Sequence, residues 1–227
     1  MSRYTVGVDL GKQADYTALS IVEAVPSQGK PELHVAWLKR LKGVAYPLVI
    51  DQVAQMARWS ALRGASFAVD ATGLGRPIVD ALRERVANLH AVTITGGEAV
   101  NNPAPREWSV PKADLVAVVQ LLLQSRRLRI HDHLAELEPL KQELLSFGYT
   151  INDAGRTRME AVSGHDDLVL SVALACWLAD RQAANGAEAW IGFLRRRERA
   201  DAVPPAPVLT LATARDEAWR ARRGEWA

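Results

Sequence analysis

The sequence predicts an α/β fold in which one mixed sheet is flanked by helices, and two patterns along the chain support this fold. Three apolar, β-branched segments open the chain with no helix between them, which is typical of an antiparallel meander. Strand-like and helix-like segments then alternate, as they do where parallel strands are joined by right-handed crossovers. With 227 residues, 48% of them hydrophobic, the chain is long enough to bury a sizeable core.

Five strands make up the predicted sheet. Residues 4–8, 18–25 and 33–41 supply the antiparallel meander, and residues 66–69 and 91–95 supply the parallel strands. Each segment is short and bounded by turn-forming or polar residues, and the first two are rich in β-branched residues. We therefore expect a mixed five-stranded sheet.

Helices are predicted on both sides of this sheet, from apolar residues at helical spacing. The predicted helices cover residues 47–62, 77–86, 112–123, 133–147 and 168–178. The last of them is apolar on nearly every side, which indicates a helix buried on most of its faces. A small hairpin, with strands at 149–151 and 158–162, is expected just before it.

The predicted domain boundary lies where the composition changes. Residues 1–183 are expected to form the α/β domain, and residues 184–227 a basic, proline-containing C-terminal tail. We expect this tail to be flexible or docked on a partner.

Composition excludes several classes of protein. The apolar runs fall short of the ~20 residues that a membrane span needs, and the N-terminus has no signal-peptide pattern. A single cysteine, Cys176, allows neither an internal disulfide nor a cysteine metal cluster, so we expect a cytoplasmic protein. A formal net charge of +2 is too small to establish a nucleic-acid partner, so that case depends on particular residues.

Acidic residues stand at three element ends. Asp9 ends the first strand, Asp70 ends a later strand, and Asp166 and Asp167 begin the most apolar helix. A carboxylate next to buried sequence is costly unless it is paired or binds a metal. If the two strands are neighbours and the helix packs across them, these carboxylates converge into an anionic pocket. Such a pocket suits Mg²⁺ or Mn²⁺, and two ions about 4 Å apart would activate water against a phosphodiester.

Three motifs carry a resemblance to a known family. They are Val-Asp-Leu-Gly-Lys with Asp15 six residues after Asp9, Val-Asp-Ala-Thr-Gly-Leu-Gly around Asp70, and Gly-His-Asp-Asp-Leu-Val-Leu-Ser at Asp166 and Asp167. In this order and spacing they resemble the nuclease domain of phage large terminase subunits, in the RNase H-like superfamily. The resemblance covers roughly residues 4–180.

The resemblance implies a metal-dependent endonuclease that cleaves double-stranded DNA during genome packaging. It implies a packaging ATPase and a portal or small terminase subunit as partners, and the host cytoplasm as location if the chain is phage-encoded. Large terminases normally carry an N-terminal ATPase, whereas the segment from Gly7 to Lys12 lacks the spacing of a phosphate loop. We therefore expect no motor here. The chain is then an isolated domain, a partner of a separate ATPase, or a stand-alone relative.

The resemblance assigns metal ligation to Asp9, Asp70 and one or both of Asp166 and Asp167, with Asp15 as an accessory acidic position. Adjacent helix residues point about 100° apart, so we favour Asp167 as the third ligand and expect Asp166 to cap the helix or support the site. Candidate contacts to DNA phosphate are Lys112, His165 and Arg76, each with an ordinary surface role as the alternative.

Three other functions compete with the terminase-type nuclease. A Holliday-junction resolvase or transposase-like nuclease would use the same ligands on DNA of a different shape. A non-catalytic packaging or assembly factor would keep only a vestigial acidic pocket. A sugar-kinase or chaperone-type ATPase would need well over 300 residues by family knowledge, and this chain has room for only one such unit.

Overall fold

The computed structural model describes residues 3–11, 15–73, 75–151, 157–161 and 166–198. For residues 147–151, 157–161 and 185–198 only the backbone is described. In chain order the elements are β1 (Tyr4–Asp9), β2 (Tyr16–Val25), β3 (Glu32–Lys42), α1 (Tyr46–Met56), a 3-10 turn (Ser60–Leu62), β4 (Ser66–Asp70), α2 (Gly75–Arg83), β5 (Leu89–Thr95), β6 (Asn101–Ala104), β7 (Glu107–Pro111), α3 (Lys112–Gln124), β8 (Leu128–Ile130), α4 (Leu137–Ser146), β9 (Phe147–Ile151), β10 (Thr157–Ala161) and α5 (Asp167–Glu198).

The predicted α/β class is confirmed, but the main sheet has eight described strands rather than five. Their order is β6-β7-β5-β4-β1-β2-β3-β8. The five predicted strands are all present, with β1, β2 and β3 antiparallel and β1, β4 and β5 parallel. β6 and β7 extend one edge of the sheet and the three-residue β8 extends the other. The predicted hairpin is present as β9 and β10.

Four helix predictions needed correction. α2 covers Gly75–Arg83 instead of 77–86, and α5 extends well beyond the predicted 168–178. α4 begins at Leu137 and not at residue 133, because Pro139 then lies in the first turn, where no backbone hydrogen bond is lost. The helix predicted over 47–62 ends at Met56, and a separate 3-10 turn follows it. α5 continues through Glu198, beyond the predicted boundary at 183, and residues 199–227 of the predicted tail lie outside the described residues.

The sheet has an apolar core on each face. On one face α1 and α2 pack against β1 and β4, and their shared core includes Val6, Val8, Val53, Phe67 and Leu82. On the other face lie α3, α4 and α5, with a core that includes Leu115, Leu140, Leu168, Val172 and the buried Cys176. No described helix is long and apolar enough to cross a membrane.

Alternation along β1 and β4 decides which side chains face α5. Val6 and Val8 of β1 belong to the α1 and α2 side, so Gly7 and Asp9 point to the opposite face. On β4 the same alternation places Ala68 in the α5 core and Asp70 on that face. The fold therefore directs two strand-end carboxylates toward one helix.

Candidate active site

The candidate site lies where β1 and β4 end beneath the N-terminus of α5. The two strands run parallel and pair residue by residue through Gly7 with Ala68 and Val8 with Val69. Continuing this register by one residue places Asp9 opposite Asp70, on strands that lie about 4.8 Å apart. Asp167 is the first residue of α5, and Asp166 precedes it. The hydroxyl of Ser171, about one turn into α5, donates to the Gly7 carbonyl of β1 at 3.2 Å, so the start of this helix lies close to the ends of the two strands.

Asp9 is the most electrostatically strained of these groups. Its side chain is buried, and burial raises its pKa well above the usual value for an aspartate. The negative charges of Asp70, Asp167 and Asp166 raise the pKa further, in that order, and the ammonium of Lys112 opposes them. A cation in this pocket would offset the negative charges and favour the ionised form of Asp9.

Asp70 is held by the backbone and side chain of Thr72. Its Oδ1 accepts a hydrogen bond from the Thr72 amide at 2.8 Å and another from the Thr72 hydroxyl at 2.5 Å. The hydroxyl in turn accepts from the amide of Ile94 on β5, at 2.9 Å. Burial raises the pKa of Asp70, and the two hydrogen bonds from Thr72 partly offset the rise.

Asp166 and Asp167 have different surroundings. The carboxylate of Asp166 is 2.5 Å from the ammonium of Lys112, at the start of α3, and its carbonyl accepts from Leu170 at the first turn of α5. Asp167 lies next in the chain. The charge of Asp167 raises the pKa of Asp9 more than the charge of Asp166 does. This ranking is consistent with Asp167 as the ligand nearest Asp9, and the choice of third ligand stays a prediction.

A third buried carboxylate, Glu143 of α4, was missed by sequence reasoning. Its side chain is 5% exposed, and Oε2 accepts from the backbone amide of Val169 in α5 at 3.0 Å. Burial raises its pKa, as does the charge of Asp167, while hydrogen bonds from Val169 and Leu168 lower it. The available signal was a glutamate placed among the leucines of an apolar helix face, three residues after Leu140.

The other predicted site residues are not part of this cluster as described. Arg76 is paired with Glu107 of β7, with 2.9 Å between guanidinium and carboxylate. Asp15 is exposed, and it is not among the groups that perturb the pKa of Asp9. His165 lies outside the described residues. For these three, the assigned roles stay predictions.

The donor set suits a hard divalent cation, which prefers carboxylate oxygens. Asp9, Asp70, Asp166 and Asp167 supply such oxygens, and burial together with the charges of the other three carboxylates raises the pKa of Asp9. Within the described part of the chain, no three acidic, histidine or cysteine side chains are yet gathered closely enough to hold an ion. In this arrangement one Asp70 oxygen accepts from Thr72, and the Asp166 carboxylate pairs with Lys112.

Two glycines, Gly7 of β1 and Gly75 at the start of α2, allow close backbone approach near this site. A Cβ on Gly7 would lie 1.9 Å from the carbonyl oxygen of Ser171 in α5, so only glycine lets the helix pack this closely on β1. A Cβ on Gly75 would lie 2.5 Å from the carbonyl oxygen of Asp70. Gly7 therefore sets how closely α5 packs on β1, and Gly75 allows α2 to begin close to the end of β4.

Comparison with known proteins agrees with this geometry. The chain is 28% identical over 174 residues to the large terminase subunit of Thermus phage G20c, and the match covers 76% of this chain. Crystal structures of the G20c large terminase nuclease with cobalt and with magnesium superpose with TM-scores of 0.54 and 0.55. Both are 25% identical, covering 77% of this chain and 80% of theirs. The chain resembles a phage terminase nuclease domain.

This result confirms the resemblance found in the motifs, together with the RNase H-like fold. The match spans 31% of the length of the curated terminase subunits. No protein-family model matches the chain. The two G20c terminase nuclease structures contain bound cobalt and bound magnesium, respectively.

Proposed function

We propose that this chain is a metal-dependent endonuclease that cleaves double-stranded DNA, as in the nuclease step of viral genome packaging. The observation that carries the proposal is the cluster of buried or half-buried carboxylates around Asp9, at the ends of β1 and β4 and the start of α5. The likeness to terminase nucleases solved with bound metal supports it.

In this chemistry the protein supplies the carboxylates that bind and position the metal ions. Asp9, Asp70 and Asp167, with Asp166 beside them, would hold one or two Mg²⁺ or Mn²⁺ ions. When bound, such ions activate water and stabilise the leaving oxygen of a phosphodiester. The carboxylates themselves make no covalent bond to DNA.

Lys112 has two roles in the proposal. Without a metal its ammonium partly neutralises the pocket through Asp166. With a cation in the pocket, Asp166 has a competing positive partner, and Lys112 is then available to a DNA phosphate.

Arg76 and His165 are proposed as further phosphate contacts, and Asp15 as an accessory acidic group. A packaging ATPase and a portal or small terminase subunit are the proposed partners, in the host cytoplasm.

Supercoiled plasmid provides the test. The purified protein is incubated with plasmid in Mn²⁺, Mg²⁺, Ca²⁺ or EDTA, together with Asp70→Ala and a matched control, Asp80→Ala. Asp80 is an exposed carboxylate of α2 that pairs with Arg83, away from the cluster. We expect nicking and linearisation in Mn²⁺ by the wild type and by Asp80→Ala, and none in EDTA or with Asp70→Ala.

Other outcomes would contradict the proposal in distinct ways. Cleavage that survives Asp70→Ala would place the active site elsewhere. Cleavage confined to four-way junctions in a parallel assay would favour a resolvase. Failure of the wild type to bind Mn²⁺ at millimolar concentration would favour a non-catalytic assembly factor.

A further inference from the structure

The start of α5 has an unusual capping arrangement. The first backbone amides of a helix lack partners within the helix, and a capping aspartate normally accepts from the second or third of them. Asp166 occupies the capping position, since its carbonyl accepts the first helical bond, from Leu170. Its carboxylate, however, is 2.5 Å from Lys112. The carboxylate of Asp166 is therefore directed to Lys112 instead of to the first amides of α5.

Glu143 supplies the missing acceptor from another helix. Its carboxylate accepts hydrogen bonds from the amides of Leu168 and Val169, the second and third residues of α5. The interaction is buried, and Glu143 is 26 positions away from Val169 in the chain. A carboxylate at this point is also favoured by the positive end of the helix dipole.

The opposite oxygen of Glu143, Oε1, is buried without a hydrogen-bond partner among the described residues, and Arg40 of β3 is a more distant ionic neighbour. The guanidinium lies 3.8 Å from Oε1 and donates to Glu136 at 3.0 Å. It also stacks on the ring of Tyr16, 4.6 Å from the ring centre, at the beginning of β2. Glu143 therefore has a hydrogen-bonded contact with α5 on one side and a longer ionic contact with Arg40 on the other, while Arg40 itself is held by Glu136 and Tyr16.

We propose that Glu143 is a positioning residue that caps α5 from α4, so that the carboxylates of both Asp166 and Asp167 stay available to a divalent cation. The inference rests on the proposed function of the same site. It explains how two adjacent aspartates at a helix start can both take part in a site, although one of them would ordinarily be used as the cap.

Direct metal binding tests this role. Free Mn²⁺ is followed by electron paramagnetic resonance during titration of the wild type, Glu143→Ala, Glu143→Gln and the control Glu138→Ala. Glu138 is an exposed residue of α4 that pairs with Lys141. Thermal unfolding of each protein in EDTA is measured in parallel, so that loss of the fold is distinguished from loss of positioning.

We expect Glu143→Ala to weaken Mn²⁺ binding about 10–100-fold, the usual effect of losing a group that orients metal ligands. Glu143→Gln keeps an acceptor oxygen and restores most of the affinity, and Glu138→Ala matches the wild type. If Glu143→Ala does not fold, Glu143→Asp serves instead, because its shorter side chain withdraws the carboxylate from the helix amides. We expect Glu143→Asp to bind Mn²⁺ as weakly as the alanine variant is expected to.

Failure of the inference is distinguishable from failure of the proposed function. Equal Mn²⁺ affinity in wild type and in a folded Glu143→Ala or Glu143→Asp would overturn the positioning role alone. Equal weakening by Glu143→Gln and Glu143→Ala would show that the charge matters and not the cap, and would also overturn it. A wild type that binds no Mn²⁺ would overturn the proposed function, and the positioning role with it.

Discussion

Replacing Gly7 with alanine should disturb both the stability of the fold and the candidate site. The added Cβ would lie 1.9 Å from the carbonyl oxygen of Ser171 and 2.8 Å from the hydroxyl of Ser20. The first contact is about 1.5 Å short of the 3.4 Å at which ordinary contact begins, so α5 must move away from β1. That movement also strains the hydrogen bond from the Ser171 hydroxyl to the Gly7 carbonyl, which is 3.2 Å long.

The expected cost follows from these two effects. Overpacking a core costs about 1–3 kcal/mol, and a lost hydrogen bond adds about 1 kcal/mol. A loss of about 2–4 kcal/mol lowers the melting temperature of a domain this size by roughly 4–16 °C. Because α5 carries Asp167 at its start, displacing it by an ångström should also reduce Mn²⁺-dependent cleavage by about 100-fold.

Calorimetry and the plasmid assay measure the two consequences. Gly96→Ala is the matched control, because a Cβ at Gly96 meets nothing within 4 Å. We expect this control to stay within about 0.5 kcal/mol of the wild type. A Gly7→Ala protein that melts with the wild type would refute the close approach of α5 to β1 on which the site geometry depends.

Two further predictions concern charge. In EDTA, the folded state binds the Asp9 proton more tightly than the unfolded state, because the pKa is raised, so stability should fall as pH rises from about 4 toward that raised pKa. When the free energy of unfolding is measured with urea from pH 4 to 8, Asp9→Asn should show a much smaller decrease than the wild type. An unchanged pH profile would contradict the raised pKa of Asp9. Lys112→Met removes the countercharge of Asp166, so Mn²⁺ binding in calorimetric titration should tighten while plasmid cleavage slows. Weaker binding would show that Lys112 does not compete with the metal.

The sequence allowed the central sheet to be predicted but not its edges. β1, β2, β4 and β5 are largely apolar because helices cover both faces of the sheet there, and β3 shows its buried side through Leu33, Val35 and Leu38. β6 has the sequence Asn-Asn-Pro-Ala and is largely exposed, so its pairing with β7 depends on the backbone and leaves no apolar pattern. β8 has only three residues, which is too short for periodicity to indicate a strand.

For the site, local sequence was informative about which carboxylates meet and uninformative about what supports them. Asp9 and Asp70 were recognisable because each directly ends a buried strand. The choice between Asp166 and Asp167 was left open because it depends on which group caps α5. That cap comes from Glu143, far away in the chain, and no local pattern predicts a tertiary hydrogen bond.

The contacts of Asp70 also limit its denticity. A carboxylate oxygen has about two lone-pair positions, and both on Oδ1 are taken, by the amide and the hydroxyl of Thr72. The hydroxyl has one proton, and because the hydroxyl oxygen accepts from Ile94, that proton is aimed at Asp70. Asp70 therefore offers a cation only Oδ2 in this arrangement. Two ions bridged by Asp70 would have to share that single oxygen, or one of them would have to displace Thr72.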